Sequence, residues 1–318
     1  MNYSIAIHGG AGTILRQDLT PEAEAAYHQA LDKALTAGYA VLLAGGSATD
    51  AVVTAVVQLE NDPLFNAGCG SVFTNAGTHE MDAALMDGST LAAGAVAGVT
   101  GVKNPVLLAQ RVMTASDHVL LSGEGAAAFA RAQGLAFADA DYFFSQFRYD
   151  QWQQVKDEMK TALDHNIRVD NNHESETQRE KKFGTVGAVA CDANGNIAAA
   201  TSTGGMTNKR FGRIGDSPVI GAGTYANNQT CAISCTGHGE LFLRAVAAYD
   251  VSCLMEYKGC TLQQAMETVT LQKLVAIGGE GGMIGVDAHG NTALVFNSAG
   301  MYRGMQSSNG QKITAIYE

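Results

Sequence analysis

The sequence predicts an α+β fold in which two sheets pack on each other between outer layers of helices, a four-layer αββα sandwich. Three observations point there. Helix-period apolar stripes fill most of the first half, and strand-like runs stand at both ends of the chain. After Thr185 the pattern turns to hairpins. The stretch GAVACDANGNIAAATS at 187–202 is echoed by GMIGVDAHGNTALVFN at 282–297, around the shared turn Asp-Ala-x-Gly-Asn.

Ser4 to His8 reads as the first strand. Thr20-Pro21 supplies the cap and first-turn proline that open a helix. Its buried stripe is Tyr27, Ala30, Leu31, Ala34, Leu35, Gly38, Val41 and Leu42, and Gly45-Gly46 end it. Ser47-Ala48-Thr49-Asp50 resembles a capping box and starts a second helix through Leu59. Further helices are expected over Pro105 to Ala115, Glu124 to Gln133, Tyr142 to Leu163, Gly237 to Tyr257 and Thr261 to Ala276.

With 318 residues, 46% of them hydrophobic, the chain suffices for one large domain, residues 1–318. A formal charge of −11 argues against a nucleic-acid partner and favours a small polar one. No run reaches the roughly 18 apolar residues of a membrane span, and MNYSIAIHGG lacks a secretory signal, so no membrane contact and a cytoplasmic location are expected. Six cysteines without CxxC spacing read as buried free thiols. No HExxH or comparable histidine pattern suggests a catalytic metal, and His8 and His238 read as structural groups.

Residues 164–182, DHNIRVDNNHESETQREKK, carry too little apolar surface to offset the entropy of ordering. A flexible stretch of about 164–184 therefore ends at Thr185, where GTVGAVAC begins a buried strand. An ordinary surface loop has the same composition.

If the first hairpin is centred on Asn194, antiparallel partners sum to 388 and Thr185 lies opposite Thr203, within one residue. Two hydroxyls then meet at the open end of a hairpin, as a plain cross-strand pair also would. Should the Gly184–Thr185 bond be cut, Thr185 gains an α-amino group of pKa about 7.7–8.0, a base beside its own hydroxyl. Gly184 leaves its carbonyl unobstructed for that attack.

Cys235-Thr236-Gly237-His238-Gly239-Glu240 joins an apolar strand to a helix start, where backbone N–H groups and the Thr236 hydroxyl suit an oxyanion. A phosphate-binding loop competes for that segment but lacks GxxxxGK[ST]. Arg213 and Asp216 can grip a zwitterion, or form a surface salt bridge. The loop Leu59 to Gly70 aims carbonyls inward for a cation, with Asn66 in reach of a substrate. His8-Gly9-Gly10 resembles an oxyanion turn of α/β-hydrolases, yet the companion GxSxG is absent.

Taken together, IAIHGGAG (5–12), PLFNAGCGSVF (63–73), HEMDAALMDG (79–88), AGAVAGV (93–99), NPVLLA (104–109), GTVGAVA (184–190), AAATSTGGMTNK (198–209), GRIGDSPVIGAG (212–223) and SCTGHGE (234–240) resemble the plant-type asparaginase and isoaspartyl peptidase family. These are N-terminal nucleophile hydrolases of the threonine type, and the resemblance is strongest to bacterial members.

The resemblance implies self-cleavage into residues 1–184 and 185–318, which stay associated and pair as (αβ)2. It implies Thr185 as nucleophile, Thr203 as its hydroxyl neighbour, and Thr236 and Gly237 at the oxyanion. Arg213 would meet the substrate carboxylate, Asp216 and Gly239 the ammonium, while Asn66 orients the nucleophile with Gly9 close by. It implies no catalytic cofactor but a structural sodium on the main-chain carbonyls of Leu59, Glu60, Asp62, Phe65, Ala67 and Cys69. The implied reaction releases L-aspartate from L-asparagine and β-aspartyl dipeptides through an acyl-enzyme. A glycosylasparaginase of the same fold is the alternative, and a phosphate-ligand binding protein is the alternative from another class. His238 and Arg210-Phe211 depart from the family pattern.

Overall fold

A computed structural model describes residues 2–157 and 182–317. Among these residues thirteen strands form two sheets. The larger has nine strands. Along it run β13 (Lys312–Ala315), β12 (Gly300–Ser307), β1 (Ser4–Gly12), β6 (Thr185–Cys191), β7 (Ile197–Thr203), β2 (Met81–Asp87), β3 (Ala93–Val99) and β4 (Leu120–Ser122), with β5 (Lys182–Phe183) pairing β1. The smaller sheet is ordered β11 (Thr292–Phe296), β10 (Gly281–Asp287), β9 (Cys231–Gly237) and β8 (Thr224–Ala226).

Period-2 alternation sorts the strand side chains into two environments. In β6, Val186, Ala188 and Ala190 join a core with Leu31 and Leu35 of α1 (Pro21–Leu43), Val52 and Val56 of α2 (Ala48–Glu60), and Leu108 and Val112 of α3 (Pro105–Ala115). Val189 and Cys191 face the opposite way, with Ala6, Ala199, Ala232 and Ile284, in a core between the sheets. On its far side the small sheet packs Ile233, Cys235 and Met283 against α7 (Gly239–Ala245), α8 (Ala247–Lys258) and α9 (Leu262–Glu267) through Phe242, Val251 and Met266. Each fully buried aliphatic side chain contributes roughly 1.5–3 kcal/mol.

Local signals act as read. Thr20 accepts the Ala23 N–H and precedes Pro21, and Ser47 accepts the Asp50 N–H. The β6–β7 register pairs Thr185 with Thr203 and Cys191 with Ile197, so every pair sums to 388.

Three long helices expected from the sequence are interrupted instead. The one over Tyr142 to Leu163 appears as α5 (Ala140–Phe143) and α6 (Gln146–Val155), parted by Phe144 and Ser145 in extended backbone; residues 158–163, and 164–181 of the stretch of about 164–184 read as a flexible tail, lie outside the described residues, whereas Lys182–Phe183 at the end of that stretch form β5 against β1. The one over Gly237 to Tyr257 is divided by Val246 in the left-handed region (φ 49°, ψ 48°). The break lets the Ala248 and Tyr249 N–H groups donate to the carbonyls of Ala222 and Gly221. In the third, a π-type turn over Thr268–Lys273 precedes α10 (Leu274–Ala276), and Asn297 Nδ2 takes the Thr270 carbonyl at 2.9 Å. The remaining helix, α4 (Gly123–Ala132), lies within one residue of expectation.

Candidate active site

The space between the sheets changes character along its length. Alanines, valines and isoleucines fill one end, whereas His8, Thr185, Thr201, Thr203, Ser234 and Thr236 stand buried at the other. Polar groups on inward-facing strand positions need partners.

Strand β1 carries a bulge at Gly9, between His8 and Gly10. Its pairing with β6 stops at His8–Gly187 and its pairing with β5 takes over at Ala11–Phe183. The Gly184–Thr185 peptide bond therefore lies across from the bulge, released from the ladder on that side. A Cβ at Gly9 would press on the Phe65 ring, and Gly10 has φ 120°, so both positions require glycine.

Thr185 Oγ1 donates to Thr203 Oγ1 at 3.2 Å. Thr203 Oγ1 also accepts the Gly205 N–H at 2.9 Å and stands 3.4 Å from the Gly184 carbonyl oxygen. These residues open onto a small cleft, lined also by Met206, Arg213, Gly215, Asp216, Ser217 and Gly237.

Arg213 donates through Nε and Nη2 to the two carboxylate oxygens of Glu240, at 2.8 and 3.0 Å. Its Nη1 edge faces the cleft, 3.0 Å from where a Cβ on Gly215 would sit. Burial raises the Glu240 pKa, but the Arg213 hydrogen bonds and charge outweigh it, leaving a net downward shift. Asp216 is buried, and its Oδ2 has no hydrogen-bond partner among the described residues. Burial pushes its pKa up to about 7, against the pull of Arg213. Gly239 stands between the two charges: a Cβ there would lie 2.9 Å from both Arg213 Nη2 and Asp216 Oδ1.

Thr236 is fully buried at the end of β9, and its Oγ1 also lacks a partner among the described residues. Two buried side-chain oxygens, Asp216 Oδ2 and Thr236 Oγ1, are thus unpartnered among the described residues. Each costs about 1–3 kcal/mol while unsatisfied, which a bound ligand would recover.

Asn66 stands apart from the cleft lining. Its Nδ2 donates to the Gly205 carbonyl at 2.7 Å and its Oδ1 accepts the Val72 N–H at 3.0 Å, so it braces the turn after Thr203. The loop 59–70 begins at the C-terminus of α2, where helix carbonyls point onward without intrahelical partners. A Cβ at Gly68 would strike the Glu60 carbonyl oxygen and one at Gly70 the Phe65 carbonyl oxygen, so glycine lets the loop pass close against these oxygens. Carbonyl oxygens are the donor set a hard alkali or alkaline-earth cation takes. The residues present fit such an ion.

Glu240 was not singled out as a site residue, because its partner lies 27 positions earlier in a loop. Met206 and Ser217 were missed for the same reason: nothing local marks a lining residue. A local cue did exist for Glu240, which occupies the first turn of the helix that opens with Gly239.

A sheet-on-sheet α+β protein with paired hydroxyls, a guanidinium and a buried carboxylate around one cleft carries the kinds of group that acyl transfer uses. The profile of the Asparaginase_2 family, described as asparaginase, matches residues 1–316, and the chain belongs to that family. It is 53% identical over 313 residues to a protein of Salmonella typhimurium named isoaspartyl peptidase, covering 98% of both chains. It is 51% identical to the isoaspartyl peptidase of Escherichia coli, covering 98% of this chain and 95% of that one. A Homo sapiens protein named isoaspartyl peptidase/L-asparaginase shares 40% identity over 301 residues, 95% of this chain and 92% of its own.

Proposed function

We propose that this protein is an amidohydrolase that releases L-aspartate from β-aspartyl dipeptides and L-asparagine, with Thr185 as a nucleophile made N-terminal by self-cleavage. One observation carries the reading. The Thr185 hydroxyl donates to Thr203 Oγ1 at 3.2 Å, and the Thr203 hydroxyl lies 3.4 Å from the Gly184 carbonyl oxygen, in the cleft that also holds Arg213 and Asp216.

In the uncut chain the Thr185 hydroxyl oxygen attacks the Gly184 carbonyl carbon. The Thr203 hydroxyl, at 3.4 Å, is placed to donate to the carbonyl oxygen as it gains charge. The bond from that carbon to the Thr185 nitrogen breaks, the hydroxyl proton ends on the nitrogen, and water hydrolyses the resulting ester. Residues 1–184 and 185–318 are the products, held together in one αββα sandwich by strands of both pieces in the large sheet.

The freed amine, of pKa about 7.7–8.0, then takes the Thr185 hydroxyl proton as that oxygen attacks the substrate's side-chain amide. Thr236 Oγ1 and the Gly237 N–H serve the developing oxyanion. The proton passes from the amine to the leaving nitrogen, giving ammonia from asparagine or an amino acid from a dipeptide. Water releases aspartate from Thr185 by the reverse path. Arg213, held by Glu240, offers Nη1 to the substrate carboxylate, and Asp216 beside Gly239 offers its bare Oδ2 to the ammonium.

The carbonyls of Leu59, Glu60, Asp62, Phe65, Ala67 and Cys69 would hold a sodium ion whose role is to neutralise their crowded dipoles and stiffen the loop that carries Asn66. No catalytic step needs it. Further parts of the proposal are assembly as (αβ)2 and work in the cytoplasm.

An intact-mass spectrum under denaturing conditions tests the core claim. Two polypeptides, one starting at Thr185, together with aspartate release from a β-aspartyl dipeptide, are expected. A chain that stays whole after prolonged incubation, or a cleaved one that leaves both β-aspartyl dipeptides and asparagine intact, overturns it.

A further inference from the structure

His8 has no part in the chemistry above, yet it touches the nucleophile directly. The Thr185 carbonyl faces β1, where the bulge leaves no backbone pairing, and there it meets His8 Nδ1 at 2.9 Å. The other ring nitrogen, Nε2, lies 2.8 Å from Ser234 Oγ, which reaches across from the facing sheet. Ser234 Oγ is 2.7 Å from Thr201 Oγ1, and Thr201 Oγ1 is 2.7 Å from Thr224 Oγ1. Thr224 in turn stands 3.0 Å from the carbonyl of Ser217, the neighbour of Asp216.

Gly187 makes the crossing possible. It pairs with His8 on one side and Thr201 on the other, and a Cβ there would collide with Ser234 Oγ and lie 2.5 Å from His8 Nε2. The missing side chain is a notch that Ser234 fills.

The donor directions follow from chemistry. A carbonyl only accepts, so His8 Nδ1 carries a proton. Full burial pushes the His8 pKa down to about 3, against the hydrogen bond to Thr185 that raises it, so the ring is neutral and Nε2 accepts. Ser234 must then donate to His8 and accept from Thr201, and Thr201 must accept from Thr224. Thr224 shares its one proton between Thr201 and the Ser217 carbonyl.

We infer that His8, aligned by Ser234 and Thr201, is a positioning residue that holds the Thr185 main chain once the Gly184–Thr185 bond has been cut. Before the cut, Thr185 is anchored covalently on both sides. Afterwards it is a strand terminus, and strand termini fray unless tied. The tie on its β1 side is His8. The chain of hydroxyls keeps the imidazole from rotating, and it links the nucleophile to the segment bearing Asp216. The role rests on the proposed function, since it presumes a cut at that bond.

The prediction is an asymmetry between the two reactions of one residue. In full-length Ser234→Ala and His8→Leu proteins, the half-time of self-cleavage should stay within about threefold of the unaltered chain. In the cleaved variants kcat for a β-aspartyl dipeptide should fall about tenfold or more with KM within about twofold, because misplacement of a nucleophile by a fraction of an ångström is felt in kcat. His8→Asn, whose amide nitrogen can replace Nδ1 as donor to the Thr185 carbonyl, should recover most of the kcat lost in His8→Leu. If His8→Leu does not fold, Ser234→Ala and His8→Asn carry the test. Unchanged kcat in Ser234→Ala overturns the inference, as does a fall in cleavage rate and kcat by equal factors in step with the melting temperature. An unaltered chain that never cleaves would instead remove the proposed function itself.

Discussion

The two hairpins of the second half share a turn and little else. In the first, Asp192 Oδ1 accepts the N–H groups of Asn194 and Asn196 at 2.8 and 3.0 Å; in the second, Asp287 Oδ1 accepts those of His289 and Asn291 at 2.9 and 3.0 Å. Gly195 and Gly290 have φ of 81° and 80°. The local chemistry is the same, and both turns set a register. The surroundings differ. Every residue of β6 and β7 is buried, whereas β11 is an edge strand whose residues alternate between buried and half-buried. Counting from the turn aspartates, Ser298 occupies the place of Thr203, since 203 − 192 equals 298 − 287. Yet Ser298 Oγ donates to the Gly300 carbonyl at 3.0 Å in a plain structural bond. A turn decides which residues face each other; the neighbouring sheet and loops decide whether facing each other makes a site.

Substitutions at matched places test that separation. The largest effect belongs to Thr185→Ala, which should abolish both self-cleavage and hydrolysis. A cleaved, active Thr185→Ala protein would end the assignment. Thr203→Val, which keeps the shape and removes the hydroxyl, should slow self-cleavage by roughly 10²–10³, the range for losing one donor at a developing oxyanion. Ser298→Ala, its counterpart, should leave the self-cleavage rate and kcat within about twofold and change only stability, by around 1 kcal/mol. Similar kinetic losses in both would show that the first hairpin is not special.

Asp216→Asn comes next and has no counterpart in the second hairpin. Removing a charged partner of the substrate ammonium should lower kcat/KM by about 10–100-fold. In the unaltered enzyme kcat/KM should also decline as pH falls through about 7, because a protonated Asp216 carries no charge. The stability sign is opposite. A carboxylate whose pKa is raised on folding contributes stability that is present at low pH and lost as pH rises through the folded value, so Asp216→Asn should melt higher than the unaltered chain at pH 8 and no higher at pH 4. Calorimetry at the two pH values decides it.

The smallest effects concern the turns themselves. Asp192→Ala should cost about 1–2 kcal/mol, as for loss of a helix cap, and Asp287→Ala about 0.5–1 kcal/mol. Asp192 is 3% exposed and its Oδ2 also receives the Ala48 N–H at 3.4 Å, whereas Asp287 is half-buried. Equal midpoints in urea would mean that burial adds nothing to a turn.

Much of this was legible without coordinates. Thr20-Pro21 and Ser47 mark helix starts because a cap needs only three or four consecutive residues, and the repeated Asp-Ala-x-Gly-Asn turn places Thr185 opposite Thr203 by counting. Strands β2 and β3 are not legible as strands in the sequence, since small-residue runs buried on both faces show no alternation to read. The breaks at Val246 and at the π turn escaped notice because their causes, the carbonyls of Ala222 and Gly221 and the side chain of Asn297, come from elsewhere in the chain.

What the amino-acid order by itself determined is therefore the family, the caps, the turn registers and the meeting of two threonine hydroxyls. All of these rest on motifs or on contacts between residues close in the chain or counted across one tight turn. Only the tertiary structure decided that Asp216 is buried with a bare oxygen, that Glu240 holds Arg213, that Asn66 braces a turn, and that His8 reaches Ser234 across 226 residues. Burial and charge pairing depend on which surfaces close over a group, and that is settled when the two sheets pack.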